Sequence, residues 1–494
     1  MPINTLTWGF SPLPNRNALQ LFKAVERLVH ECDLDLKCCI LNAGEKPERD
    51  DEKTIFIDER DLYSLEGILK HRDKLIKYND SVEFNPVVYD KVYEKLYWFV
   101  DCYARTDRDI QQSTGRHYQR RSVHSYLHSF NLLYHFFYGI FVKEQIQLVL
   151  LPGIPSPMGP GLIIYGIAKA LNVKTVMHSA THYIPDRMFC IDNADDYGNF
   201  SSMPTPDEKR IEEVKLEKKF FLDHQYKQLL DKNSVNKLGI KERKKGISFW
   251  RAIRPIRQTI SRPWQLFLKP HQIFEDIAYI YLRYRRHSKY RANLAELIGP
   301  VDYKAKYVYF PLHFQPESST SVFGGIFCDQ ALALELLSKK IPRDWVIYVK
   351  ENPIQTEFMR DETFFARLKL IGNLRMTPQD EDTFKLMAHS QFVATITGSA
   401  GWEAIRGGKP ALVFGKPWYQ NFEGVFKWHN NIDALEIAHY QIEHEKLESD
   451  YNKLVQAMPS GIVYLSHLDM VENFDVDKNT ENIVKLVVKM LAKN

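Results

Sequence analysis

The first half of the chain alternates between apolar patterns with the two-residue period of strands and the longer period of helices. Apolar positions recur at helical spacing between Asn17 and His30, whereas 146–151 is almost wholly apolar, as is typical of a parallel strand buried on both faces. The predicted helices are 17–30, 89–142 and 161–171. The predicted strands are Thr5–Phe10, Leu34–Leu41, Thr54–Ile57, Ile146–Leu151 and Lys174–Met177.

The second half repeats this alternation after a stretch that is mostly helical and rich in Lys and Arg. From about Asn430 to the end, the pattern is again mainly helical. The predicted strands are Tyr307–Phe310, Trp345–Val349, Asn373–Met376, Phe392–Ile396 and Ala411–Phe414. The predicted helices are Asp329–Ser338, Phe365–Leu370, Asp382–His389 and Ala400–Arg406.

Repeated strand-helix-strand units predict an α/β protein with two doubly wound, Rossmann-like domains joined by a helical connector. The expected arrangement has the two domains facing a cleft, with ligands outside the carboxyl ends of the strands. The predicted divisions are an N-terminal Rossmann-like domain over 1–205, a basic helical connector over 206–300, a C-terminal Rossmann-like domain over 301–425 and a helical segment over 426–494.

Composition narrows the class of protein. With 494 residues, 44% of them apolar and 26% charged, the chain can bury more than one core, and a net charge of +4 is too small for a protein that coats nucleic acid. None of the six cysteines forms a Cys-x-x-Cys pair, so zinc-ribbon and secreted disulfide frameworks are disfavoured. Met1–Phe10 lacks signal-peptide character, and no apolar run approaches the length of a membrane span. A cytoplasmic protein is expected.

The segment 393–415 carries the clearest chemical signal, because it combines a strand, a tight loop of small residues and a helix. Free backbone N–H groups at such a helix start, together with the helix dipole, suit a phosphate. Neither the Rossmann glycine pattern nor the P-loop pattern is present, which disfavours dehydrogenases and P-loop NTPases. The alternative is a purely structural βα turn. The candidate donor-binding residues here are Thr397, Gly398, Ser399, Ala400, Gly401 and, for ribose hydroxyls, Glu403.

Two further loops follow strands of the same predicted sheet, and parallel strands bring such loops to one edge. His313, Gln315 and Glu317 follow the strand at Tyr307 and offer polar groups for a base, ribose or sugar. Lys350 follows the next strand and offers a positive charge for phosphate. These loops are predicted to converge with the Thr397 loop on one ligand.

These motifs resemble the capsule polysaccharide biosynthesis family, which includes the Kdo transferases. The resemblance rests on Tyr309–Ser318, Gly324-Gly325, Asp329-Gln330, Val349–Pro353, Thr397–Ala404 and Gly408–Pro410. It implies a GT-B-like fold and a CMP-activated acidic sugar as donor substrate, with no further cofactor and no metal held by an Asp-x-Asp motif. Where relatives usually have His-Pro, this chain has Asn352-Pro353, and Asn donates hydrogen bonds but carries no charge.

Glycosyl transfer also needs a group that takes the proton of the acceptor hydroxyl. After the strand at Lys174 come His178, His182, Asp186 and Asp192, and the last two resemble a stretch seen in relatives. Asp186, Asp192 and His182 are therefore the predicted catalytic candidates. The alternative for each is a structural role.

Basic and aromatic residues are interleaved between Arg243 and Arg291. This composition suits an anionic membrane surface, or an acidic glycan or glycolipid acceptor, while a solvated linker is the alternative. No recognisable nucleic-acid-binding module is present. A peripheral position on the inner membrane face is the corresponding expectation.

The combined prediction is a metal-independent glycosyltransferase that moves a sugar from a nucleotide-activated donor, CMP-Kdo or similar, to a surface polysaccharide or glycolipid. Two alternatives stay open. The segment from Thr397 to Pro410 is also similar to the UDP-N-acetylglucosamine 2-epimerases, and Asn352 would suit a non-catalytic partner in glycan assembly.

Overall fold

In the computed structural model, the chain folds into two compact units. The first contains the described residues of 1–103, 121–215 and 448–494, and the second contains those of 216–447. The structure describes residues 2–8, 27–41, 54–58, 61–62, 82–94, 96, 123–151, 153, 159–181, 183–205, 213–219, 272–315, 318–353, 355, 357, 360–463, 467, 470–471 and 474–492. His182, Glu317 and the connector residues 243–271 therefore lie outside the described residues.

The first unit is built on a six-stranded sheet in the order β3-β2-β1-β4-β5-β6. Its neighbouring strands pair in parallel except for β5 and β6, which are antiparallel. The strands are β1 Ile3–Trp8, β2 Leu34–Leu41, β3 Ile55–Asp58, β4 Leu148–Leu151, β5 Lys174–Thr181 and β6 Ile184–Ile191. The helices before and between them are α1 Pro86–Tyr93, α2 Val123–Lys143 and α3 Gly159–Ala170, and residues 27–32 are also helical.

The second unit has a six-stranded sheet in the order β12-β11-β10-β7-β8-β9, and every neighbouring pair is parallel. Its strands are β7 Tyr307–Pro311, β8 Val346–Lys350, β9 Leu374–Met376, β10 Phe392–Thr395, β11 Ala411–Val413 and β12 Val425–Lys427. Its helices are α4 Gln272–Leu297, α5 Ser318–Ser321, α6 Gln330–Ser338, α7 Glu362–Lys369, α8 Thr383–His389, α9 Ser399–Arg406 and α10 Ala434–His439. Helix α11 His444–Ala457 continues from the second unit into the first, which also contains α12 Val476–Ala492.

In each sheet, the first and fourth strands in chain order are neighbours, and the later strands are added outward from them on opposite sides. This is the Rossmann arrangement, and the boundary between these two strands is its switch point. Strand β7 is apolar throughout because both of its faces are buried. Tyr307 and Tyr309 join a cluster with Leu386 of α8, whereas Val308 and Phe310 join the larger core on the opposite face. The predicted α/β class with two doubly wound, parallel-rich sheets is thus confirmed.

Two strands were not predicted, β6 and β12, and β5 is longer than predicted because it continues to Thr181. The sequence predicts a separate helical segment over 426–494, but the structure divides these residues between the two units at 447 and 448. In the structure, Ile483 and Val487 of α12 pack against Leu148 and Val176 of the first sheet. The sequence of an amphipathic helix shows that one of its faces must be buried, but it does not show which sheet that face packs against.

Candidate functional site

The switch point of the second sheet lies between β7 and β10, which pair through Val308 with Phe392 and Tyr309 with Val393. Ligands of open α/β sheets bind outside the carboxyl ends of the strands at such a point. The loop after β7 contains His313, and the loop after β10 leads into α9. The two loops that sequence analysis selected therefore meet at the position where the fold itself predicts a ligand.

The start of α9 leaves backbone donors unused. Its N-cap is Gly398, which has no side chain to cap the helix, and the N–H of Gly401 donates to the carbonyl of Gly398 over 3.2 Å. The backbone N–H groups of Ser399 and Ala400 donate to none of the described residues. Ser399 is exposed and Ala400 is half-buried. Two amide donors and the positive end of the helix dipole thus converge at one accessible point.

Two glycines allow neighbouring groups to approach this helix start. A Cβ on Gly398 would lie 2.9 Å from the Thr395 hydroxyl oxygen and 3.0 Å from the His313 ring. A Cβ on Gly401 would collide with the hydroxyl of Tyr419, which donates to the carbonyl oxygen of Gly398. The small residues that predicted a phosphate loop are therefore also required by close packing around it.

His313 is buried at 8% exposure, and its ring is held by the β10 loop. Its Nε2 lies 2.9 Å from the Thr395 hydroxyl oxygen and accepts from the backbone N–H of Thr397 over 3.4 Å. The neutral ring has one N–H, and in the tautomer in which Nε2 accepts from the Thr397 N–H, Nδ1 carries the proton. Burial, and then the positive charge of Arg360, lower the pKa of His313 to about 4, which keeps the ring neutral near pH 7. Among the described residues, none is hydrogen-bonded to Nδ1.

A buried ion pair supports the loop after β7. Arg360 donates from Nε to Glu351 over 3.0 Å, and the side chains of both residues are almost fully buried. The same guanidinium donates to the side-chain oxygen of Gln315 over 2.6 Å and to the carbonyl of His313 over 2.9 Å. Neither Glu351 nor Arg360 was selected from the sequence. Their signal was only that two opposite charges follow a buried strand within ten positions, which is common in surface loops.

Gln315 and Lys350 lie near the switch point but use their polar groups within the protein. Gln315 donates from Nε2 to the carbonyl of Cys328 over 2.6 Å, while its side-chain oxygen accepts from Arg360. Lys350 donates to the carbonyl of Glu381 and to the hydroxyl of Thr383. Burial lowers the pKa of Lys350, against the raising effect of nearby carboxylates. Both side chains are thus arranged to hold loops, and a role in binding the donor stays a prediction for each.

The other residues predicted to bind the sugar donor differ in how deeply they are buried. Thr397 and Gly398 are half-buried beside Ser399, whereas Glu403 is buried at 6% exposure beneath the loop. Burial, and then the Glu403 carboxylate, raise the pKa of Tyr309, which places this carboxylate toward the core side of α9. Asn352 is half-buried, and its backbone N–H donates to the Glu351 carboxylate over 2.9 Å.

The predicted catalytic candidates lie on the first sheet. His178 is not in a loop but inside β5, paired with Cys190, and burial lowers its pKa to about 4. Because β6 returns antiparallel, Asp186 lies near the carboxyl edge and Asp192 near the amino edge. The hydroxyl of Thr175, at the start of β5, donates to the carbonyl of Asp192.

These two carboxylates cannot act on one atom, because six extended residues span about 20 Å. The side chain of Asp186 is 45% exposed, and its nearest described partner is Arg187 at 3.7 Å. The structure therefore favours Asp186 over Asp192 as a group that could reach a ligand at the carboxyl edge. A catalytic role remains a prediction for both.

Within the described ranges, no group of three or more His, Cys, Asp or Glu side chains is arranged to hold a metal ion. In the same part of the chain, no helix combines the length and apolar content that crossing a bilayer requires.

The match to a known protein family lies mainly in the second unit. A family model described as capsule polysaccharide biosynthesis protein matches residues 240–454, and no curated protein matches the chain. Among solved structures, the beta Kdo 2,7 transferase KpsC of Thermosulfurimonas dismutans has 11% identity and a TM-score of 0.28, covering 69% of this chain and 84% of its own.

Two further structures are similar at this level. The beta Kdo 2,4 transferase KpsC of the same organism has 15% identity and a TM-score of 0.22, covering 37% of this chain and 63% of its own. The UDP-GlcNAc 2-epimerase of Methanocaldococcus jannaschii has 11% identity and a TM-score of 0.22, covering 92% and 99%. The resemblance inferred from the motifs is confirmed by the family model: over residues 240–454, which include the whole site around His313 and α9, this chain matches the capsule polysaccharide biosynthesis family.

Proposed function

We propose that the chain is a glycosyltransferase that moves a sugar from a nucleotide-activated donor to a surface polysaccharide or glycolipid acceptor. The proposed donor is CMP-Kdo or a similar CMP-linked acidic sugar, and the proposed setting is the cytoplasmic face of the inner membrane. One observation carries the proposal. The unused N–H groups of Ser399 and Ala400 lie beside a buried, neutral His313 at the switch point of a Rossmann-like sheet.

This arrangement suits the phosphate of a leaving nucleotide. As the bond between sugar and phosphate breaks, negative charge grows on the phosphate oxygens, and fixed donors stabilise it without reorganising. Two backbone amides and the Nδ1–H of His313 supply such donors, and the helix dipole adds a favourable field. Lys350 and Arg360 bind other parts of the protein, so we assign the phosphate contacts to these uncharged donors.

The acceptor hydroxyl must lose a proton as it attacks the sugar, and we propose that a carboxylate of the first unit takes it. Asp186 is the first choice because it is half-exposed near the carboxyl edge of its sheet. Asp192 and His182 remain the alternatives. The base can be identified by comparing the pH dependence of transfer in Asp186→Asn and Asp192→Asn variants.

The match of residues 240–454 to a capsule biosynthesis family supports a transferase over the two alternatives. A UDP-sugar 2-epimerase-like enzyme would use the same phosphate site but no acceptor. A non-catalytic partner in glycan assembly would suit the uncharged Asn352 and need bind no nucleotide. Product analysis with and without a glycan acceptor separates transfer from epimerisation.

The first experiment is thermal unfolding of the chain with CMP, UDP or GDP, because a ligand that binds the folded state raises the melting temperature. Ser399→Pro then removes one backbone donor at the first helical position, where proline fits, and Gly398 before it already has the extended ψ of 158° that proline requires. Ser399→Ala is the matched control, since it removes the hydroxyl and keeps the N–H.

We expect CMP to stabilise the native chain, and Ser399→Pro to weaken CMP binding about tenfold or more, because a hydrogen bond to a charged group contributes about 1.5–3 kcal/mol. Ser399→Ala should bind nearly as well as the native chain. If none of the three nucleotides shifts the melting temperature, the proposed function is wrong.

A further inference from the structure

Helix α4 extends beyond the carboxyl edge of the second sheet. His287 lies 3.1 Å from the carboxylate of Glu357, in the loop after β8, and Lys289 pairs with Glu362 at the start of α7. Farther along α4, Glu296 pairs with Lys369 at the end of α7. The two helices therefore run side by side from the carboxyl edge. The turns of α4 that precede His287 continue outward from this edge for about 20 Å, at 1.5 Å per residue.

This outer part of α4 exposes large apolar side chains on one face. Phe274 and Tyr284 are at least 70% exposed, and Ile277 and Tyr281 are at least half exposed. Their spacing of three, four and three residues places all four along one side of a helix. Tyr290 and Leu294, farther along, are instead buried against the core of the second unit. The same helix is thus anchored at one end and presents an uncovered apolar face at the other.

Arg285 lies beside the base of this face, whereas Arg286, about 100° farther around the helix, lies on the opposite side. The sequence from Leu282 to Arg291 has five basic residues and no acidic one. Arg285 and Arg286 are exposed, and the Arg285 guanidinium lies 5.8 Å from the centre of the Tyr281 ring. Aromatic rings that have an apolar body and a polar tip, next to arginines, have the chemistry of a helix that binds the surface of an anionic bilayer.

We propose that the outer turns of α4 dock on an anionic lipid surface, with Phe274, Ile277, Tyr281 and Tyr284 entering the headgroup boundary and Arg285 contacting lipid phosphates. The docked surface lies on the same side as the carboxyl edge of the second sheet, so the site around His313 faces the membrane side. This inference goes beyond the proposed function, since lipid binding does not depend on nucleotide binding.

The test is co-sedimentation of the full chain with neutral phosphatidylcholine vesicles, and with vesicles that also contain phosphatidylglycerol, at low and at molar salt. We expect binding to the anionic vesicles only, with release by salt. Arg285→Glu should lose at least tenfold in partitioning, since a lost basic residue costs about fivefold near an anionic surface and the new carboxylate adds repulsion. The double variant Ile277→Ser/Tyr281→Ser should lose binding to a similar degree.

The matched control is Lys304→Glu, which makes the same change in net charge at an exposed lysine before β7. It should bind like the native chain. Equal binding by all variants, or no binding of the native chain to anionic vesicles at low salt, would overturn the proposal. Concentration-dependent dimers that are lost in Ile277→Ser/Tyr281→Ser, without vesicle binding, would assign the face to a second copy. Stabilisation by CMP, measured on every variant, is expected to be unchanged and reports separately on the proposed function.

Discussion

The imidazole Nε2 of His313 lies 2.9 Å from the hydroxyl oxygen of Thr395, across the boundary between β7 and β10. These strands are neighbours at the switch point, so the contact joins two loops that are more than eighty residues apart in sequence. Together with the N–H of Thr397, it fixes the orientation of the ring. The ring is thereby held beside Gly398, the N-cap of α9, where an added Cβ would lie 3.0 Å from its Cε1 and Nε2 atoms.

Replacing His313 with alanine should weaken CMP binding by at least tenfold and destabilise the fold by about 1–3 kcal/mol, because the substitution removes one proposed phosphate donor and the contacts of the ring with Thr395 and Thr397. Isothermal titration and urea unfolding measure the two effects. His429→Ala, at an exposed histidine of the same unit, is the control. Unchanged CMP affinity in His313→Ala would exclude this ring from the phosphate site.

Gly398→Ala should disturb the contact between His313 and Thr395, because the added Cβ would crowd both side chains. The φ of Gly398 is −73°, so alanine meets no backbone strain, but its Cβ would lie 2.9–3.0 Å from the Thr395 hydroxyl and the His313 ring. We expect a cost of about 1–3 kcal/mol in stability and at least a tenfold loss of CMP affinity. Gly372→Ala, where an added Cβ meets nothing within 4 Å, should change neither quantity. A Gly398→Ala chain that binds and unfolds like the native one would contradict the described geometry.

The buried pair of Glu351 and Arg360 should be costly to break. Arg360→Met leaves the Glu351 carboxylate uncompensated in the interior, which typically costs about 3–5 kcal/mol of stability. Adding Glu351→Gln should recover part of that loss, because it removes the unpaired charge. Urea unfolding of both variants and of the native chain measures the difference.

The matched control for this pair is Lys289→Met, which breaks an exposed ion pair with Glu362 and should leave stability unchanged. If Arg360→Met were as stable as this control, the buried pair would have no structural role at the site.

Stability should fall as the pH drops from about 6.5 toward 4. His313 and His178 each have a pKa lowered to about 4 by burial, with Arg360 adding to the effect at His313. In the unfolded chain, both rings take up protons below about pH 6.5. Between these values the unfolded state binds more protons, so stability is complete above pH 6.5 and is lost as the pH falls through this window. Each ring contributes a slope of up to about 1.4 kcal/mol per pH unit.

Urea unfolding across this window measures the slope, and His313→Gln should reduce it because the substituted side chain does not titrate. A slope that is the same in the native chain and in His313→Gln would mean that the His313 ring is protonated in the folded protein.

Much of the fold was predictable because buried parallel strands must be apolar and the helices between them must be amphipathic. The strand Leu34–Leu41 was predicted at its observed bounds, and the loop at Thr397 was found from its small residues. The antiparallel strand β6 was missed because its Pro185, Asp186 and Arg187 interrupt the apolar pattern. The structure shows these residues half-buried or paired at a sheet edge, where such interruptions are tolerated.

The sequence by itself determined the two doubly wound sheets and the position of the tight turn before α9, because both follow from local periodicity and from the need for small residues at such a turn. Only the tertiary structure decided which polar side chains are bonded within the protein. Lys350 and Gln315 are polar strand-end residues like His313, but they are bonded to Thr383 and Arg360, while Nδ1 of His313 donates to no described residue. Linear spacing shows that a side chain is polar, but its partner is set by the packing of distant strands and helices, which brings Arg360 beneath one loop and α12 onto the first sheet.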